Sequence, residues 1–358
     1  MSEQGGGTLA MGPGAEFDLI RTLLAAWGSQ AVGEGGDAAA LEIPPGEQLV
    51  VSTDTSVEGV HFRREWLTPR EIGYRATAAA LSDLAACAAR PLGILLALSL
   101  SDRWVPHAVE LARGVGEAAR LAGAPIVGGD VTRARDLTLG VTVLGSAARP
   151  LTRAGARAGD VLYVTGELGG PAAAVRAWSA LLPSAIAPAD NTRVATRPPP
   201  SRCGGGAGAP PPHALGVASA APGAPHASHR ARFAHPVPRI AAGVWLAEHG
   251  ARAMIDVSDG LAGDAAHLAA ASGVTVVIEL ERVPAMQGVS PMDAVESGEE
   301  YELLLAAPDS LDVDAFRERF GIAITPVGQV VQGAPEVVLL HHGQRVAARG
   351  GYQHFGGR

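Results

Sequence analysis

Short apolar runs closed by glycine or aspartate, each leading into an Ala-rich stretch of helical character, recur along this chain. That alternation limits the fold more than any other feature. Residues 15–27 place Phe17, Leu19, Ile20, Leu23 and Leu24 at helical spacing. Residues 49–52 read as a buried strand and 53–59 as the loop leaving it; 70–89 favour helix. A strand over 94–100, a helix over 107–122, a short strand over 125–127 and an alternating strand over 137–144 follow. A second series begins near Pro150, with strands over 161–165, 253–257, 274–280, 301–306 and 336–340 and a helix over 261–271. The expected class is α/β (α+β) in two domains, 1–149 and 150–358, and 358 residues are more than one typical core holds.

Inside the second half, at about 183–235, the chain turns to Pro, Ala, Gly and Ser with few large apolar residues. Such composition buries too little surface to offset the entropy of ordering, so a disordered insertion is expected there. It contains Cys203, His213, His226, His229 and His235, whose spacing matches no metal-site template.

Composition removes several chemistries. The chain has no lysine: all 28 of its Lys-plus-Arg positions are arginine. A P-loop, a protein-kinase strand lysine and a Schiff base are therefore excluded. With 36 acidic residues the net charge is −8, which argues against nucleic acid as a partner. Cys87 and Cys203 make neither a disulfide framework nor a zinc site. Residues 1–14 lack a basic region followed by an apolar run, and no apolar segment is long enough to span a bilayer, so a cytoplasmic location and no membrane partner are expected.

The remaining signal is where aspartate recurs. Asp37 follows a Gly-rich turn, Asp54 closes Ser52-Thr53-Asp54, Asp130 closes Gly128-Gly129-Asp130, and Asp256 and Asp259 flank Ser258. Each alone is better explained as a helix cap or turn former. Asp83, among Ala79, Ala80, Leu84 and Cys87 of a helical stretch, would be partly buried and needs a partner. Several carboxylates gathered at strand ends without a neighbouring cation would suit Mg²⁺, which bridges carboxylate and phosphate oxygens. Phosphoryl transfer without a P-loop is the chemistry this suggests.

The ordered set Val51-Ser52-Thr53-Asp54-Thr55, Glu58-Gly59-Val60-His61-Phe62, Leu81-Ser82-Asp83-Leu84-Ala85-Ala86, Gly128-Gly129-Asp130, Leu151-Thr152-Arg153, Ile255-Asp256-Val257-Ser258-Asp259-Gly260-Leu261 and Gly351-Tyr352-Gln353-His354-Phe355 resembles the thiamine-monophosphate kinase family. The resemblance implies an aminoimidazole-ribotide-synthetase-like fold, an N-terminal domain that holds ATP and forms a homodimer, and a C-terminal domain closing over the site. It implies ATP-dependent conversion of thiamine phosphate to thiamine diphosphate. Asp37, Ser52, Thr53, Asp54, Asp83, Asp130, Asp256 and Asp259 are then expected at several Mg²⁺ ions. Gly129, Arg153 and Ser258 are expected at ATP, and His61, Glu299 and Tyr352 at the substrate; no acid or base is assigned.

The sequence departs from that pattern in places. Gly36 stands where the family has a first Asp, Ser297 replaces a Gly before Glu299, and Gln353 replaces an Asp. These departures motivate an alternative, a nucleotide- or thiamine-phosphate-binding homologue with little or no turnover. Another ATP-dependent enzyme of the superfamily is a second alternative. Against it, the chain has no N-terminal Cys beside a Lys, as a selenophosphate synthetase would want, and no C-terminal Cys, as a hydrogenase-maturation dehydratase would want.

Overall fold

The computed structural model describes residues 14–32, 37–181 and 224–347. Two sheets organise them. The first contains β1 (Gln48–Val57), β2 (Arg90–Leu100), β3 (Ile126–Arg133) and β4 (Thr138–Ala147) in the order β1-β4-β2-β3. Only β2 and β3 run parallel. The second contains β5 (Val161–Thr165), β6 (Ala253–Asp256), β7 (Thr275–Glu279), β8 (Leu303–Ala307), β9 (Ile324–Val331), β10 (Glu336–His341) and β11 (Gln344–Val346). Its order is β11-β10-β7-β9-β5-β8-β6, and β7 and β10 are its parallel pair.

The helices are α1 (Ala15–Trp27), α2 (Pro69–Ala86), α3 (Ala108–Ala122), α4 (Gly170–Leu181), α5 (Ala227–Ala234), α6 (Ile240–Glu248), α7 (Leu261–Ser272), α8 (Pro291–Val295) and α9 (Val313–Phe320). The helix that positions the site is α2. It opens on a capping box: the Thr68 hydroxyl accepts from Glu71 N–H and Glu71 Oε2 accepts from Thr68 N–H at 2.8 Å, with Pro69 at the first helical position. Beyond that turn it is buried almost all round, which explains why its sequence is Ala-rich instead of amphipathic. Small residues let other backbones approach. A Cβ on Gly73 would strike the Leu111 carbonyl, one on Gly114 the Arg70 carbonyl, and one on Gly243 the Ala85 carbonyl. Thus α3 and α6 both close on α2, and α2 forms the seam between the two sheets.

Several expected boundaries change. Residues 53–57, expected as loop, continue β1. Alternate residues there face α2 or solvent, so the polar run Ser-Thr-Asp-Thr-Ser suits a strand with one open face. Gly128, Gly129 and Asp130, expected after a strand, lie inside β3. There, a Cβ on Gly129 would strike the Leu96 carbonyl of β2.

The insertion expected to be disordered through 235 must also be corrected at its C-terminal end, where α5 is a helix. Phe233 and Ala234 are fully buried and join Ala174 and Trp178 in the core of the first sheet. Burial of that one aromatic, packed edge-on against Trp178 at 5.3 Å, anchors a segment whose remaining composition reads as unstructured. Residues 183–223 of that insertion, with Cys203 and His213, lie outside the described residues. No helix among the described residues is long and apolar enough to cross a membrane.

Candidate active site

Three of the expected carboxylates meet at the seam. Asp54 projects from the α2-facing side of β1, Asp83 comes from the last turn of α2, and Asp256 ends β6. Ser52, two residues before Asp54 and on the same face, donates its hydroxyl to Asp83. Asp256 is buried; desolvation, then the negative charges of Asp83, Asp264 and Asp54, push its carboxyl up to about 8. Burial and Asp83 raise Asp54 to about 6. Among the described residues, no arginine is a source of relief for either group. Carboxylates held together out of water, with oxygen donors only, form the kind of site a hard dication neutralises. Asp54, Asp83 and Asp256 therefore fit Mg²⁺.

The turn after β6 is built by a residue the sequence reading overlooked. Asp264, buried in the first turns of α7, accepts the N–H groups of Ser258 at 3.0 Å and Asp259 at 3.1 Å. Burial lifts its carboxyl to about 7 despite those bonds. This holds Ser258 and Asp259 in place beside Asp256. The Ser258 carbonyl in turn accepts the N–H of Glu299 at 2.6 Å. Arg153 is exposed near Cys87, whose thiol is raised by burial and by Asp83 and Asp256 and drawn down by the Arg153 charge. One guanidinium therefore stands at the rim of the carboxylate cluster.

Glu299 lies beside it with a positive φ of 61°, as does Tyr301 at 54°. Its carboxylate is held by Arg75 of α2 at 2.5 Å. Arg75 is itself buried, donates to the Phe233 carbonyl at 2.6 Å and stacks 3.8 Å from the Phe233 ring. The Tyr301 phenol is pushed up by burial and feels Arg75, Glu299, Asp54 and Asp256, so this loop adjoins the carboxylate cluster. Arg75 and Tyr301 were not singled out from sequence; the one usable signal was an arginine beyond the first turn of an otherwise Ala-rich helix.

Other expected residues stand elsewhere. Register aligns Asp130 with Ala97, Gly140 and Thr55, whereas Asp54 aligns with Val141 and Leu96. Asp130 and the exposed Thr53 thus occupy the sheet face turned away from α2, where Thr53 and Thr142 hydroxyls meet at 3.0 Å. Asp37, Gly129 and Asp130 line a cavity of about 850 Å³ between α1, residues 37–41 and that face. A single chain therefore does not gather Asp37 and Asp130 with Asp54, Asp83 and Asp256. His61 sits in the turn after β1, its Nδ1 accepting from Val57 N–H at 3.1 Å. Gly36 and Tyr352 lie outside the described residues.

Comparison with known proteins gives the same picture. Residues 35–147 match the AIR synthase related protein, N-terminal domain, and 230–341 the corresponding C-terminal domain. The thiamine-monophosphate kinase of Synechococcus elongatus is 33% identical over 346 residues, covering 90% of this chain and 91% of that protein. Among solved structures, the thiamine-monophosphate kinase of Stenotrophomonas maltophilia K279a superposes with a TM-score of 0.72 at 30% identity. That match covers 91% of this chain and 96% of the other. AaThiL complexed with AMPPCP and TMP superposes at 0.66 with 26% identity, covering 97% and 100%. With both domain matches in order and such identity across nine-tenths of its length, the chain belongs to the thiamine-monophosphate kinase family of AIR-synthase-related proteins.

Proposed function

We propose that this chain transfers the γ-phosphoryl group of ATP to thiamine phosphate, giving thiamine diphosphate and ADP. The observation that carries the reading is the meeting of Asp54, Asp83 and Asp256 at the seam, with no arginine among the described residues relieving Asp54 or Asp256. A relative solved with an ATP analogue and TMP supports the same pair of substrates. A terminal phosphate oxygen of thiamine phosphate attacks the γ-phosphorus as the bond to the β-phosphate oxygen breaks, and ADP leaves with that electron pair. The nucleophile is already anionic, so no general base is required; alignment and charge neutralisation supply the rate.

Asp54, Asp83 and Asp256 would hold Mg²⁺, with Ser52 fixing Asp83 and Asp264 fixing the turn that carries Asp259. When bound, Mg²⁺ offsets the charge of the transferring phosphoryl group. Arg153 at the rim offers a planar guanidinium to phosphate, and Ser258 and Gly129 take the nucleotide-side positions. His61, Glu299 and Tyr352 take the substrate side.

Asp37, Thr53 and Asp130, on or beside the open sheet face, complete the metal set when a second copy of the chain packs there. Leu49 and Val51 are 46% and 55% exposed on that face, which supports a homodimer. The reaction is placed in the cytoplasm. An ADP-release assay with thiamine phosphate, ATP and Mg²⁺, and thiamine as control acceptor, tests the reading. Binding of both substrates without ADP release would replace it by a non-catalytic homologue.

A further inference from the structure

The outer edge of the second sheet carries a group of side chains with no part in the reaction above. The parallel pairing of β7 with β10 sets Leu340 opposite Glu279. Glu281, in the short 3₁₀ turn that follows β7, is thereby brought beside His341, which ends β10, and His342, which opens the hairpin to β11. Consecutive strand residues normally point to opposite faces. Here His342 takes a φ of 49°, followed by Gly343 at 75°, and this two-residue turn swings both imidazoles to one side. Their rings lie 4.4 Å apart, centroid to centroid.

Glu281 accepts the backbone N–H of His342 and stands 3.2 Å from His342 Nδ1. Arg282, the adjacent cation, is committed to Glu279 at 3.0 Å and does not compete for Glu281. One donor atom from each of Glu281, His341 and His342 falls within 4.8 Å of the others. Donors around a tetrahedral zinc, with bonds of about 2 Å, are separated by about 3.3 Å. All three side chains are exposed, so side-chain rotation alone can close that difference.

We propose that Glu281, His341 and His342 form a binding site for one divalent transition-metal ion of the zinc, nickel and copper class. Two imidazoles and one carboxylate are the donor set such ions prefer, and a fourth position stays open to water. Mg²⁺ favours all-oxygen sites and so does not fill this one. The ion would clip the β10–β11 hairpin, the edge of the second sheet, to the turn after β7.

The test is equilibrium dialysis of the tag-free full-length chain against Zn²⁺ under saturating Mg²⁺, comparing wild type with His342→Asn, His341→Asn and Glu281→Gln. Asn adopts a positive φ readily and suits a two-residue hairpin turn, so His342→Asn keeps the fold. A thermal melt checks all three. Wild type should bind one Zn²⁺ per chain that each variant holds at least about tenfold more weakly, with Mg²⁺-dependent ADP release unchanged. Equal Zn²⁺ stoichiometry and affinity in wild type and all three folded variants would overturn the proposal.

Discussion

Two acidic regions lie side by side in this protein and are treated in opposite ways. In the loop from Glu299 to Glu302, each glutamate meets an arginine. Arg75 holds Glu299 at 2.5 Å, Arg232 reaches Glu300 at 3.5 Å and Glu302 at 2.9 Å, and Arg239 grips Glu302 through Nε at 2.8 Å and Nη2 at 2.5 Å. Next to Tyr301, burial and the charge of Asp83 raise the Asp54 and Asp256 carboxyls, and among the described residues no arginine is a source of relief for either. Burial of charge is costly in both places. The first region meets most of that cost with arginines of the chain, although burial still lifts the Glu300 carboxyl to about 7; the second leaves it to be met by something bound. Glu300 and Glu302, gripped by arginines, point to architecture, and the aspartate cluster to a site.

The largest expected effect breaks the second region. Asp83→Asn should lower ADP release about a thousandfold, the consequence of losing several kcal/mol of charge stabilisation in the transition state. Its melting temperature without divalent ions should not fall, because the substitution removes a repulsive charge. A variant that unfolds instead would move Asp83 into the architectural class.

Next comes the reverse experiment. Glu302→Gln should cost about 3 kcal/mol of stability, since it leaves the half-buried Arg239 and Arg232 guanidinium groups without their shared, buried carboxylate. Urea denaturation measures this. A loss under 1 kcal/mol would mean that water or Glu300 takes over, and the contrast between the regions would weaken.

How much of this contrast was legible in sequence follows from its geometry. Asp54, Asp83 and Asp256 were found because each sits in a local motif, and family resemblance ordered those motifs. Their convergence was not readable, since it requires β1, α2 and β6 to close on one another. The Arg75–Glu299 pair joins residues from opposite halves of the chain, so no local spacing announces it. The two-sheet alternation was legible, yet β9 was missed because Pro326, Gly328 and Gln329 interrupt its apolar pattern. Gly328 is there for close packing: a Cβ would strike the Val277 carbonyl on β7. Likewise β1 looked too short because its polar half lines the site on one face and is open on the other.

A third, smaller effect is a pH dependence. Asp54 and Asp256 hold their protons to about 6 and about 8 in the folded chain, against about 3.8 for a free aspartate. The folded state therefore binds more protons than the unfolded one across that window. Their contribution to stability is full below about pH 4 and is lost as pH rises through 6 and 8. The melting temperature of metal-free protein should fall by several degrees from pH 5 to pH 8. Saturating Mg²⁺ should recover most of that fall at pH 8, and Asp256→Asn should shrink both the fall and the recovery, leaving the Asp54 share. A melting temperature that climbs steadily over the same range in chelator would contradict the cluster's repulsion.

The smallest expected effect comes from an acid neutralised by a partly exposed arginine, and it carries the opposite sign. Glu71, in the first turn of α2, receives two hydrogen bonds from Arg230 of α5 at 2.7 and 2.8 Å, as well as the Thr68 N–H. Burial pushes its carboxyl up, but the Arg230 and Thr68 bonds and the guanidinium charge outweigh burial, and the net direction is downward from 4.5. A depressed folded-state value means stability that is present above the unfolded value and lost as pH falls through the folded one. Arg230 is more than a third exposed, so the pair contributes about 1 kcal/mol at most. Arg230→Met should lower stability by that amount at pH 7 and by less at pH 3, because the pair's contribution shrinks as acid is added below the unfolded value. Urea titrations at the two pH values give the difference directly. An equal loss at both would assign the Arg230 contribution to the packing of its aliphatic stem and place Glu71 outside the neutralised class.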